Sequence, residues 1–274
     1  MKYGLMLPLI EGEVTENIDL LKNITNTNID SIWVRDIVIS SKDNNDNGSR
    51  VSPFLHLSKL AEANLKNYIL GTGVLSALYR DVEVTIQDMT SLSELHPNSN
   101  FIYAVGIGGK KEAFDALQFN WEKKDLYYNK WLQKYKVYYE SQFYGGSPKN
   151  QNSNLIWSKT QKLPKLTVAT RNLEILQKNH SIIERNLIWF SDVNTIKDLK
   201  EKFPDIELNM FLSLKIVDGK NTIRYVDRGQ KFFEISVDKL KDLSKEYASL
   251  GIHRLILSLG GNVGDSDFHL LNTV

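Results

Sequence analysis

An eight-unit α/β barrel is the fold class this sequence predicts, and three observations predict it. Short apolar runs of strand length recur eight times, and amphipathic helical stretches separate them. The length of 274 residues suits a closed α/β barrel, which typically occupies about 250 residues as one unit. An alternating strand and helix order has two parallel-sheet solutions, an open doubly wound sheet or a closed barrel, and the count of eight favours the barrel. One domain over residues 1–274 is expected, with a long loop at about 141–163.

The first apolar run, 3–9, ends at Glu11-Gly-Glu13 and reads as a buried strand. Val14, Ile18, Leu21 and Ile24 then recur at helical spacing, before a second strand at 31–34. Ser52-Pro53 reads as a cap followed by proline at the first helical position, where its missing N–H costs nothing; Phe54, Leu57, Leu60, Ala61 and Leu65 form the buried stripe. A third strand, 68–74, leads to Asp81 as the cap of a helix carrying Val82, Ile86, Met89, Leu92 and Leu95. Strands at 101–107, 165–169, 187–190, 207–216 and 254–259 follow. Asp192 and Ser236 read as caps, Pro204 and Gly251 as stops. Tyr128, Trp131, Tyr135 and Tyr138 fall on one helix face, and packing is favoured there over a base-stacking platform.

With 42% hydrophobic residues the chain can bury a sizeable core, and with Cys 0 it has neither disulfide nor thiolate chemistry. A formal net charge of +1 argues against a nucleic-acid partner, which would demand a clustered basic excess. Glu11 and Glu13 follow the first apolar run at once, so a core strand is expected there, not a secretion signal. The longest mainly apolar stretch, 68–79, falls short of the roughly 20 residues that span a bilayer, so no membrane partner and a cytoplasmic location are expected.

In such barrels the loops beyond the strand C-termini build the site. The five histidines show no metal-ligand spacing, so no metal is expected. No Walker phosphate loop is present, and Gly106-x-Gly108 lacks the third glycine of the dinucleotide fingerprint because Lys111 stands there. Glu11, Glu13, Asp36 and Asp192 lie at strand ends, where a pair of carboxylates would suit a hydrolase; capping and solvation are the competing roles. Glycines cluster at two strand ends, Gly71-Thr-Gly-Val-Leu-Ser76 and Gly106-Ile-Gly-Gly-Lys110, consistent with close approach of a flat ligand or with tight turns alone.

At these residues the chain resembles the bacterial luciferase-like monooxygenase family. The likeness rests on Gly4-Leu-Met-Leu-Pro8, Ile29-Asp-Ser-Ile-Trp-Val-Arg-Asp36, Ser52-Pro-Phe-Leu55, and Ile69-Leu-Gly-Thr-Gly-Val-Leu-Ser76 with Tyr79-Arg-Asp81. It continues through Val105-Gly-Ile-Gly108, Glu112-Ala-Phe-Asp-Ala-Leu117 and Gly251-Ile-His-Arg-Leu-Ile-Leu257. The resemblance implies a (β/α)8 TIM barrel holding a flavin at the strand C-termini, FMN or alternatively a deazaflavin, with a non-prolyl cis peptide at Gly73-Val74. It places the cofactor against Met6, Thr72, Gly73, Val74, Gly106, Gly108 and Gly109. Lys110 and the Thr170-Arg171-Asn172 turn are its expected phosphate partners, and Arg35 and Asp36 are the candidate catalytic residues. For the latter two, a structural ion pair at the barrel rim is the competing role.

The chain departs from the family pattern in two places. The histidine that serves luciferase as catalytic base, just after the Trp-x-x-Asp of the second strand, is replaced by Ile37 and Val38, and the glycine-rich turn after the fifth strand by Ala169-Thr-Arg-Asn172. The expected activity is that of a flavin-dependent oxidoreductase, a monooxygenase using reduced FMN and O2 on a small organic substrate. Its expected partners are a separate flavin reductase and a second copy in a homodimer. The alternative is a non-catalytic flavin-binding or structural barrel.

Overall fold

The ring closes because the last strand pairs with both the first and the seventh. In the computed structural model, which describes residues 1–7, 18–19, 21, 24, 28–38, 51–63, 65, 67–108, 111–141, 162–217, 221–226 and 230–259, β1 (Lys2–Met6), β2 (Ile29–Val34), β3 (Ile69–Ser76), β4 (Asn100–Gly106), β5 (Leu166–Ala169), β6 (Ile183–Trp189) and β7 (Glu207–Ile216) lie side by side in parallel. An antiparallel hairpin of β8 (Thr222–Val226) and β9 (Gln230–Ile235) continues β7, with β9 parallel to its last four residues. β10 (Ile252–Leu259) then pairs in parallel with β7 and β1. The α-helices with described bounds are α1 (Pro53–Glu62), α2 (Val82–Leu95), α3 (Lys111–Ala116), α4 (Lys124–Ser141), α5 (Leu173–Lys178), α6 (Val193–Lys202) and α7 (Val237–Ser249). None of the described helices is long and apolar enough to cross a membrane. Most of the expected 141–163 loop, together with Glu11, Glu13, Val14, Gly109 and Lys110, lies outside the described residues.

Two strand readings need correction. The β8–β9 hairpin was not expected, and β6 begins at Ile183, four residues before the expected start at 187. The second error has a clear cause. Glu184, Arg185 and Asn186 look like loop residues, yet Arg185 pairs with Glu207 on the neighbouring strand (3.2 Å) and Asn186 donates to the Val168 and Thr170 carbonyls (2.7 and 3.0 Å).

Strand alternation divides the apolar residues into two cores. One set, including Leu5, Ile32, Leu70, Val105, Val168, Leu212 and Leu257, packs outward against Leu57, Leu60, Ile86, Met89, Leu132, Leu176, Ile196 and Leu240 of the helices. The other points into the barrel: Met6, Trp33, Ile102, Ala104, Leu187, Phe211 and Ile256. The strand registers stack the inner residues in layers of four from alternate strands, the pattern expected of such barrels. Ser31, Ile102, Arg185 and Arg254 are lowest, followed by Gly4, Gly71, Thr167 and Asn209, then Trp33, Ala104, Leu187 and Ile256. Met6, Gly73, Ala169 and Phe211 close the stack beneath the mouth.

Trp33 explains two of the glycines. A Cβ on Gly4 would lie 2.5 Å from its Nε1, and one on Gly71 2.7 Å from its Cε3, so the indole occupies the space both residues leave open. The Trp33 Nε1–H donates to Ser31 Oγ (2.9 Å), which satisfies its one polar atom. Gly4→Ala is therefore expected to cost about 1–3 kcal/mol through overpacking, read as a lowered denaturant midpoint with an unchanged m-value. An unchanged midpoint would show that the indole has room to move.

Asp192 and Ser236 cap α6 and α7 as expected, accepting from Thr195 N (3.0 Å) and Lys239 N (3.3 Å), and Gly251 follows α7 with φ +89°. Ser52 and Asp81 precede α1 and α2 but make no side-chain cap bond. Tyr128, Trp131 and Tyr135 are buried in α4, as the packing reading requires.

His56 is buried in α1, and its Nε2 finds no hydrogen-bond partner among the described residues. Burial depresses its pKa to about 4, against an ordinary 6.5. The unfolded chain therefore binds this proton between those values and the native state does not. Stability is full above pH 6.5 and falls as pH drops toward 4, by on the order of 3 kcal/mol. His56→Leu should flatten the stability profile across that window, measured by denaturant midpoints at each pH; an unchanged slope would assign the effect elsewhere.

Candidate active site

The mouth is built on the fourth inner layer. Met6 and Phe211 are buried there, with Gly73 between Met6 and Trp33: a Cβ on Gly73 would lie 2.2 Å from Met6 Cε. The β3–β4 register slips between Thr72 and Leu75, and within that slip the Gly73–Val74 peptide is cis, at the position expected. Val74 turns back over Gly106, its Cγ2 2.7 Å from where a Cβ would stand. Met6, Val74, Gly106, Ala169 and Phe211 thus form a floor without charge.

Level with Gly106, the other inward positions of its layer are Arg35, Trp189 and Ser258. Arg35 Nη2 donates to Ser258 Oγ (2.6 Å), linking the ends of β2 and β10. On the opposite side, Trp189 ends β6 with its ring edge-on to Phe211, centroids 4.3 Å apart and planes at 65°. It remains 43% exposed. An indole held by a buried ring and open to solvent at a barrel mouth is a ready wall for a flat ligand.

Among the candidate residues, Met6, Gly73, Val74 and Gly106 meet at this floor, and Arg35 stands at its rim. Thr72 does not face it. Its hydroxyl donates to the Ala104 carbonyl (3.0 Å) and accepts from the Ala104 N–H (2.9 Å), closing the β3–β4 seam where the ladder slips. Gly108 adopts φ +72° directly over Ser76, whose Oγ would lie 1.7 Å from an added Cβ. Its role is a close backbone crossing that no side chain fits.

Asp36 is buried, and its ion pair runs to Arg80, which approaches through Nε (2.8 Å) and Nη2 (2.9 Å). Asp36 is thus tied to Arg80, where the sequence suggests Arg35 and Asp36 together as the rim ion pair. At the fifth strand, Thr170 Oγ1 accepts from Asn172 N (3.0 Å), and Asn172 Oδ1 accepts from Glu174 N (3.0 Å) and Ile175 N (3.3 Å). The helix N–H groups that an anion would use are occupied by this cap, and Arg171 is exposed.

Sequence reasoning missed Trp189, Ser258 and Arg80. Trp189 carried the best signal, a bulky aromatic at the last inward position of a strand. It stood inside an apolar run and so read as core.

No known protein-family profile matches the chain, and no curated protein matches it in sequence. Solved structures do match in shape. The monooxygenase RslO1 from Streptomyces bottropensis superposes with a TM-score of 0.72 at 9% identity, over 100% of this chain and 98% of that one. An F420-dependent secondary alcohol dehydrogenase in complex with an F420-acetone adduct gives 0.74 at 10%, over 100% and 98%. The EDTA monooxygenase EmoA from Chelativorans sp. BNC1 gives 0.67 at 7%, over 99% and 92%. The class of protein that fold and mouth define is the (β/α)8 barrel. Within that class this chain has the luciferase-like fold.

Proposed function

We propose that the chain is a flavin-dependent oxidoreductase of luciferase-like type that binds FMN at the barrel mouth and acts as a monooxygenase on a small organic substrate, with a deazaflavin as the alternative cofactor. The observation that carries this reading is the uncharged floor of Met6, Val74, Gly106, Ala169 and Phe211 beside the half-exposed wall of Trp189. A planar tricyclic ring fits such a bed. Structures similar in shape include an F420-dependent secondary alcohol dehydrogenase with an F420-acetone adduct and the oxygenating constituent of 3,6-diketocamphane monooxygenase in complex with FMN.

When bound, the flavin supplies the electron transfer and oxygen activation, which no side chain of this chain provides. The floor and Trp189 hold the ring plane and exclude water, and Arg35 with Ser258 orients a polar group of ligand or substrate at the opposite rim. The phosphate is assigned to Lys110 and the exposed Arg171 as charge donors; the capped start of α5 makes that helix end a weaker partner. A separate reductase supplies reduced FMN, and a homodimer forms through α1 and α2, which present Leu55 and Val84 outward. A cytoplasmic location suits such an enzyme.

Titration of the purified protein with FMN and with F420, followed by quenching of tryptophan fluorescence, is expected to saturate with one of them. Oxygen uptake with reduced FMN should then rise on addition of an aldehyde, sulfonate or amine substrate. Saturable binding of neither cofactor would sink the proposal. Binding without substrate-stimulated turnover would instead favour a flavin carrier, the reading supported by Ile37 and Val38 where luciferase has its histidine. A carboxylate-pair hydrolase has less support, since Asp36 is engaged by Arg80 and Asp192 by Thr195.

A further inference from the structure

We propose that Trp131, Arg80 and Asp36 form a positioning relay that sets the backbone at the end of β3, so that Asp36 acts through the mouth floor and not on a ligand; its consequence for cofactor affinity rests on the flavin reading above. The links are consecutive and each consumes its donor or acceptor. The Trp131 Nε1–H of α4 donates to the Arg80 carbonyl (2.8 Å). The Arg80 guanidinium, lying 5.5 Å from the centre of the Phe54 ring, grips both Asp36 oxygens. Asp36 Oδ2 then accepts from the Ser76 N–H (3.0 Å).

Ser76 is where three strand ends meet. It closes β3, two residues beyond Val74; the neighbouring Ala77 N–H donates to the Gly106 carbonyl (3.0 Å). Gly108 crosses above it so closely that an added Cβ would lie 2.9 Å from the Ser76 Cα. A carboxylate reaching this N–H from β2 therefore ties the ends of β2, β3 and β4 together. Three donors already engage the Asp36 carboxylate, two from the fork-like guanidinium and one from the backbone, so its contacts among the described residues are those of a structural tie.

The relay also gives a role to the segment that breaks the even strand and helix spacing. α4 stands between β4 and β5, and its buried face donates outward from three rings. Trp131 reaches the turn after β3, Tyr128 the Val105 carbonyl near the end of β4, and Tyr135 the Pro164 carbonyl before β5 (2.7 Å). The first two segments lie at the mouth end of neighbouring strands, and the third at the opposite end of the barrel, where β5 begins. A helix that only filled space would need no such donors, since apolar rings of equal size pack as well without a polar atom to satisfy.

The test uses Trp131→Phe, which retains a packed aromatic ring but removes the N–H, on a helix outside the strands that form the floor. Hydrogen exchange at the Ser76 amide, measured on the full chain without cofactor, should speed up about tenfold while the thermal midpoint changes little. The Kd for FMN should rise about tenfold, as supporting groups behind a binding surface commonly produce. Unchanged Ser76 exchange would overturn the relay, as would an unchanged Kd when the wild type binds FMN. If the wild type binds neither FMN nor F420, the flavin reading fails and the exchange rate alone decides the relay. Should Trp131→Phe not fold, Arg80→Lys, which keeps the charge but loses the fork, is measured in its place with the same expected direction.

Discussion

Replacement of Arg254 by alanine is expected to remove about 3–5 kcal/mol of stability. Arg254 lies in the lowest inner layer, almost wholly buried, with Nε and Nη2 on the Asp30 carboxylate (2.9 and 2.8 Å) and Nη1 3.5 Å from Glu207. Truncation leaves Asp30 with an uncompensated charge in a poorly solvated place. Arg254→Met with Asp30→Asn, which removes both charges and keeps most of the volume, should recover much of the loss. Denaturant unfolding of the single and double variants checks this; a single variant within 1 kcal/mol of wild type, on the scale of an exposed pair, would show that the pair is solvated.

The same pair predicts an acid response. Burial pushes the Asp30 carboxyl up, but the hydrogen bonds and charge of Arg254, aided by Ser31 and Lys2, outweigh it and hold the group below the ordinary 3.8. A carboxylate with a depressed native pKa contributes stability that is fully present above its unfolded value and is lost as pH falls through the native one. In Asp30→Asn that part of the acid-unfolding curve should be missing.

Trp189→Ala is expected to weaken FMN binding by about tenfold, equivalent to about 1.4 kcal/mol and on the scale of one well-packed aromatic contact. The change should leave the fold nearly untouched, because the indole is 43% exposed at the end of its strand. Trp189→Phe should fall between. Part of the tryptophan quenching on cofactor addition should also vanish with the ring, although four other tryptophans remain. Equal affinity in wild type and Trp189→Ala would remove this residue from the site and leave only the floor.

These expectations differ in how far the sequence anticipates them. The eight strands of the ring, the outward helix stripes and the caps at Asp192 and Ser236 are legible because they depend on periodicity and on local hydrogen bonding. The glycine-bearing ends of the third and fourth strands are legible as places where something approaches closely. What approaches is not: Trp33, Met6, Val74 and Ser76 lie far from the glycines they meet in sequence or on another strand, and only barrel closure brings them together. The paired charges of β6 looked like loop because a single strand does not show that Arg185 will face Glu207.

The sequence by itself determines the alternation of strand and helix, the eight strands of the ring but not the added hairpin, the absence of thiol chemistry and the lack of a luciferase-type histidine beyond the second strand. Each follows from composition or from patterns a few residues long. The tertiary structure alone decides that Asp36 belongs to Arg80 and Ser76, that Thr72 seals a seam, and that Trp189 opens onto the mouth. Those assignments depend on register around a closed ring, where one strand's partner is set by the tilt of all eight.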